Sequence, residues 1–315
     1  MPQELPFEYC PSPPMPCRAH WSPPRGSASR SRWWTLPASL ALAGCGAGSP
    51  LLHPAHPLAP GELAGSSGVS AHFAPGEAQQ AIDRTSQASI EERGQDEQAA
   101  VDGALAQTLS APGLAPWFSV RAGLVEATEG GISYTGRRAR GDVRYAYVLD
   151  QVAFSVGGGA TGILPAIGAD PPTQECDNPD YCPDPIVDDS HSEIPGVDTS
   201  STSGWGLDLP LLVGWRSDPG LFAFWTGLRA RFEQISGELR YESSAGPRVA
   251  HAEGDRWVFQ GVVGFSVGIK PVWALFELSP AYEKLSGNVN LESGVVGSRL
   301  EGFSFSPAIA LMVAP

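Results

Sequence analysis

The sequence predicts an all-β fold: eight antiparallel strands in up-and-down order, closed into a transmembrane β-barrel behind a disordered, partly helical N-terminal region. Three observations predict it. From Trp117 onward, segments of about 10–15 residues alternate apolar and polar positions and are separated by Gly, Pro, Asp and Ser turns. The face opposite the apolar one is small, rich in Gly, Ser and Ala rather than in Lys and Glu. Trp205 and Trp215 stand ten residues apart on one apolar face. At ~3.3 Å per residue and a tilt of about 40–45° they are roughly 24 Å apart along the barrel axis, close to the ~25 Å apolar band of a membrane barrel.

The eight strands are expected at 117–126, 131–138, 143–156, 205–216, 221–235, 255–268, 271–285 and 299–313. In 205–216 one face is Trp205, Leu207, Leu209, Leu211, Val213 and Trp215, and the other is Gly206, Asp208, Pro210, Leu212, Gly214 and Arg216. In 255–268 Trp257, Phe259, Val263, Phe265 and Val267 oppose Gln260, Gly264, Ser266 and Gly268, and 299–313 alternates in the same way. A sandwich alternates too, but its water-facing side carries long charged residues. Small residues suit the crowded inside of a narrow barrel with its apolar face toward lipid. Trp205, Trp215, Trp257 and Tyr282 are assigned to the aromatic girdle.

Charge supports the same orientation. Strand 221–235 sets Phe222, Phe224, Leu228 and Phe232 against Arg229, Arg231 and Glu233, and strand 271–285 sets Val272, Phe276 and Leu278 against Glu277 and Glu283. An arginine facing lipid at the midplane costs about 2–4 kcal/mol, so these groups belong in the lumen, where they would pair with one another. Strand 143–156 switches parity between Tyr147 or Leu149 and Val152 or Phe154, which reads as a bulge near Asp150–Gln151. Tight connections at 217–220 and 269–271 alternate with longer ones at 157–204, 236–254 and 286–298, the pattern of short periplasmic turns and long extracellular loops.

Composition agrees. The chain has 37 glycines, 30 prolines and 17% charged residues, with 34 acids against 20 bases and a net charge of -14. That balance, without a basic stripe, excludes a nucleic-acid binder. No run of about 20 apolar residues exists to cross a membrane as a helix.

Residues 30–45 run from a basic stretch through about ten mostly apolar residues to Leu42-Ala43-Gly44-Cys45. That end resembles the lipobox of bacterial lipoproteins, and the resemblance implies lipidation of Cys45. A 29-residue extension precedes the signal. Residues 1–45 are therefore extension plus signal, 46–115 a flexible tether with a weakly packed helix broken near Gly94 and stopped by Pro112, and 116–315 the barrel. In its pattern, residues 117–315 resemble the small eight-stranded outer-membrane barrels of the OmpA/OmpX type. The resemblance implies an outer-membrane location with a periplasmic N-terminus, and contact with lipid and the barrel-assembly machinery. This chain departs from that family's aromatic C-terminus, ending Leu311-Met312-Val313-Ala314-Pro315.

Polar chemistry concentrates in the longest loop. Cys176 and Cys182 are expected to form a disulfide there. Asp177, Asp180, Asp184, Asp188 and Asp189 could ligate calcium, although the spacing lacks an EF-hand pattern; the alternative is a solvated acidic surface for an extracellular partner. His191 reads as a solvated residue. No catalytic residue or cofactor is assigned; His251 with Ser243 or Ser244 and Glu253 offers no more than any serine-rich loop. The expected function is that of a monomeric, non-enzymatic barrel lipoprotein with a structural, adhesive or surface-interaction role. The alternatives are a narrow porin-like channel and a soluble secreted sandwich or lipocalin-like binder.

Overall fold

The computed structural model describes residues 48–87, 97–164, 202–218, 220–243, 246–291 and 294–314. Ten strands, not eight, form one closed antiparallel barrel: β1 (Leu63–His72), β2 (Gly113–Val125), β3 (Thr128–Thr135), β4 (Arg138–Leu149), β5 (Val152–Ile163), β6 (Ser203–Arg216), β7 (Phe222–Ser243), β8 (Gly246–Ile269), β9 (Val272–Leu291) and β10 (Gly294–Val313). Each strand pairs with its neighbours in sequence, and β1 closes the ring on β10, with Gly65 opposite Val313 and Ser70 opposite Ala308. Among the described residues, two helices, α1 (Glu77–Gln87) and α2 (Glu97–Ser110), lie between β1 and β2. A single closed sheet leaves no place for a sandwich.

The two extra strands have separate origins. The parity switch in 143–156 is not a bulge but a hairpin turn, with Asp150 at φ 55 and Leu149 paired to Val152. Reversal of the chain keeps Tyr145, Tyr147, Phe154 and Val156 on one outward face. The other added strand, β1, lies inside the stretch read as a tether. Its outward residues are Leu63, Gly65, Ser67 and Val69, too small on average to print an alternation.

One end of the barrel carries only short connections, at 126–127, 150–151, 217–221 and 270–271, together with the start of β1 and the end of β10. Toward the other end β7 to β10 are 22, 24, 20 and 20 residues long and outrun their neighbours. β6 stops pairing with β7 at Ser203↔Ser236, and β1 meets β10 for the last time at the Phe73↔Phe305 bridge. Beyond those points the four strands stand as a free wall. Segments 236–254 and 286–298, expected as loops, are mostly strand in this wall.

The sense of alternation inverts where the wall begins, which explains the misreading. Within the ring most of the large apolar side chains point outward: Leu207, Leu209, Leu228, Phe259, Val263 and Leu278 are all exposed. In the wall the apolar residues point inward. Ile235, Ala250, Ala252, Leu285, Val289 and Leu300 are buried against Ile82, Val101, Leu105 and Leu109 of the helices. The outward positions there become polar, with Gln234, Glu253, Asp255, Ser286, Asn288 and Arg299 lining a cleft of about 430 Å³.

Helices α1 and α2 therefore pack against the wall rather than hang loosely on a tether. Thr85 Oγ1 donates to Ala99 O across the pair at 2.9 Å, and Glu301 N donates to Glu77 Oε2 at 2.9 Å. Gly103 is required by the close crossing: a Cβ there would stand 2.1 Å from Thr85 Oγ1. Leu105, 2% exposed, sits at the centre of this contact. Leu105→Ala is expected to weaken helix docking by roughly 2–4 kcal/mol, seen as faster proteolytic cleavage between α1 and α2 while the barrel strands stay protected.

Candidate functional site: a charged lumen sealed by its own chain

Strand parity sends one row of charge inward from each of several strands. In β4 the row is Arg138, Arg140, Asp142 and Arg144; in β7 it is Arg229, Arg231 and Glu233; in β9 it is Glu277 and Glu283. Arg121, Glu129, Asp208 and Arg256 complete it from β2, β3, β6 and β8. Burial is extreme: Glu233 and Arg256 are 0% exposed and Arg229 2%. Side chains so excluded from solvent do not line a water-filled pore.

Buried charges at this density persist only when paired. Arg144 Nε lies 2.8 Å from Glu129 Oε1, and Glu129 also accepts from Arg121 Nε. Arg121 forks onto Asp142 at 3.0 and 3.0 Å, and Arg140 Nη1 meets the same carboxylate at 3.0 Å. Arg140 then forks onto Asp208 at 2.8 and 2.9 Å, and Asp208 accepts from Arg229 Nε at 2.9 Å. A second ladder runs from Arg138 to Glu233 (3.2 and 3.3 Å), from Glu233 to Arg256 (3.1 Å), and from Arg256 to Glu283 (3.0 and 2.8 Å).

The partners differ from those expected among Arg229, Arg231, Glu233, Glu277 and Glu283. Arg229 pairs with Asp208, and of the five only Arg231 and Glu233 form an ion pair, at 3.4 Å. Glu277 instead accepts the backbone N–H groups of Leu51 and Leu52 at 2.8 and 2.7 Å. Those residues belong to a segment that fills the lumen. Residues 48–62 run from Gly48, which lies against Ala71, His72 and Ser306, down to the short-turn end, where Gly61 N donates to Gly123 O at 2.8 Å. Gly123 has to be glycine, because a Cβ would meet Ala59 O at 2.0 Å.

The ring holds this segment chiefly through its backbone. Arg229 Nη1 donates to Ser49 O at 2.6 Å, and Arg144 donates to Pro54 O and, at 3.0 Å, to His56 O. Leu58 N donates to Glu129 Oε2 at 2.9 Å, and His56 Nε2 pairs with Gln151 O at 3.1 Å. Leu51, Leu52 and Ala55 bury their side chains with Trp117, Leu212, Trp225, Val262 and Leu275. Above the segment, His72 bridges Ser306 and Ser110 at 3.0 and 3.1 Å, and Ser110 donates to Glu283 at 2.9 Å. The C-terminal residue of α2 thus closes the network from the wall side.

Outside, aromatic residues mark two levels ten residues apart. Trp205, Phe232 and Trp257 touch in series at one level, and Trp215, Phe222 and Phe265 at the other. Trp205 Nε1 donates to Gln234 and Trp215 Nε1 to Gln151, at 3.1 and 2.9 Å, so each indole points its polar edge out of the apolar band. Tyr282 packs on Phe303 and donates to Glu301.

Of the remaining sequence candidates, few lie among the described residues. His251 and Glu253 lie outward on β8, while Ser243 pairs with Gly246 at the hairpin tip, about 17 Å along the strand from His251. Ser244, Cys45, Cys176, Cys182, Asp177, Asp180, Asp184, Asp188, Asp189 and His191 lie outside the described residues. Among the described residues, no group of three or more His, Cys, Asp or Glu is arranged to hold a metal. The signal for the missed half of the ladder was present in the i, i+2 spacing of Arg138, Arg140, Asp142 and Arg144. The lumen segment left no such signal, because its backbone carries most of its polar contacts.

No protein-family model and no curated protein matches the chain. Among solved structures, Neisserial surface protein A matches with 9% identity and a TM-score of 0.27, covering 80% of this chain and 95% of that one. A mutant porin of Rh. blastica matches with 6% identity and a TM-score of 0.16, covering 80% and 99%. These values are too low to transfer a fold or a function; strand pairing and face chemistry define the barrel.

Removal of one partner from the buried ladder leaves an unpaired charge. Glu233→Gln is expected to lower the stability of the refolded barrel by on the order of 3–5 kcal/mol, measured as a fall in the urea midpoint in detergent.

Proposed function

We propose that this chain is an outer-membrane β-barrel that is closed as a pore and acts through its surface, in a structural, adhesive or interaction role. The observation that carries this reading is the inside-out chemistry of the ring. Leucine, valine and phenylalanine cover the outside between two aromatic levels, while the inside is charged and filled. A lipocalin-like binder needs the reverse, an apolar interior with a polar outside. Ten residues of tilted strand between Trp205 and Trp215 span roughly 24 Å, which matches the hydrocarbon thickness such a barrel meets.

In this reading the short-turn end is periplasmic, and the wall with its two helices stands on the cell surface. The wall supplies the interaction surface: a polar outer face, with a helical pair over its inner one. The proposal assigns no catalytic residue. Lipidation of Cys45 remains part of the proposal on the sequence pattern alone.

A channel is the second reading, and one observation favours it. The lumen segment is held chiefly by side-chain contacts to its backbone, so its withdrawal would leave a charged passage. The intact protein is expected to be silent in planar bilayers, and a variant lacking residues 48–60 to show discrete conductance steps. Steps from the intact protein would make it a pore. Two further tests address the membrane. The unboiled protein should migrate faster than the boiled protein on detergent gels. Leu209→Arg, at the middle of the outer band, should cost about 2–4 kcal/mol when folding is measured in lipid, whereas on a water-facing surface it would be neutral.

A further inference from the structure

The lumen charges do not balance. Among the described residues, seven arginines (121, 138, 140, 144, 229, 231 and 256) face six carboxylates (Glu129, Asp142, Asp208, Glu233, Glu277 and Glu283). The shortfall is local to Arg231. Its guanidinium is 4% exposed, and its Nε and Nη1 make no hydrogen bond. The carboxylate beside it, Glu233 at 3.4 Å, already accepts from Arg138 and Arg256. Two residues along the same inward face, Arg229 satisfies Asp208 and Ser49 O but leaves Nη2 without a partner. The two Cα atoms are about 6.6 Å apart along the strand, so the long side chains can reach a common point.

A buried guanidinium cannot shed its charge, and an uncompensated one is far costlier than a paired one. We propose that the lumen binds one small monovalent inorganic anion, chloride in ordinary buffers, against Arg231 with Arg229 as the second donor. A single negative charge corrects the count, and a spherical anion accepts from N–H groups arriving from two side chains. A dianion such as sulfate would overshoot the imbalance. The site depends on the lumen alone and stands whichever surface role the barrel plays.

Thermal melting of the full-length protein, refolded in a zwitterionic detergent, provides the test. Sodium chloride and sodium bromide should each raise Tm by about 2–4 °C over sodium gluconate at equal ionic strength. Arg231→Met removes the uncompensated charge and should melt at the same temperature in all three salts. Equal melting of the unmodified protein in chloride and gluconate overturns the proposal, as does a variant that keeps the difference. If the variant does not fold, crystals of the unmodified protein grown in bromide decide the matter. An anomalous peak within hydrogen-bond reach of Arg231 supports the site, and peaks only elsewhere, or none, overturn it.

Discussion

Everything in this barrel follows from placing seven arginines and six carboxylates inside a ring whose outside is apolar. Twelve of these groups are 0–7% exposed, and charges so buried are tolerable only when they find a partner of opposite sign or a backbone dipole. Except at Arg231, the two ladders meet that demand by sharing: Asp142, Asp208 and Glu233 each serve at least two guanidiniums. Sharing ties β2, β3, β4, β6 and β7 in one ladder and β4, β7, β8 and β9 in the other. The network crosses the lumen and braces strands that are not neighbours in the sheet.

The lumen segment is part of the same solution. Arginine carries more donors than the available carboxylates can accept, and the surplus on Arg144 and Arg229 goes to the carbonyls of Ser49, Pro54 and His56. Glu277, which has no arginine on it, takes the amides of Leu51 and Leu52. Segment and ring thus complete one another's hydrogen bonding, and a barrel without the segment would carry a set of unpaired groups into contact with water.

The wall obeys the opposite rule with the same backbone. Strand pairing runs through the aromatic level without a break, yet the apolar face changes sides. Trp257 and Phe259 point outward, and farther along the same strand Ala252 and Ala250 point inward against the helices. Period-2 geometry presents two faces everywhere, and the surroundings decide which one is apolar. Where the outside stops being apolar, the helices become the only place to bury Leu285, Val289 and Leu300.

The sequence by itself determined an all-β antiparallel barrel, the outward face of β6 to β10 within the ring and the inward placement of Arg229, Arg231, Glu233, Glu277 and Glu283. All of these follow from parity over five to ten residues, a local property. Only the tertiary structure decided the number of strands, the partners of those charges and the filling of the lumen. Asp150 ends one strand and starts another through a single backbone turn that the alternation resembles but cannot distinguish from a bulge. β1 exists because β2 and β10 offer it backbone partners on both sides, despite its small, patternless residues. Residues 48–62 enter the lumen because charged side chains hold their amides and carbonyls, groups that every sequence possesses and that no pattern of side chains advertises.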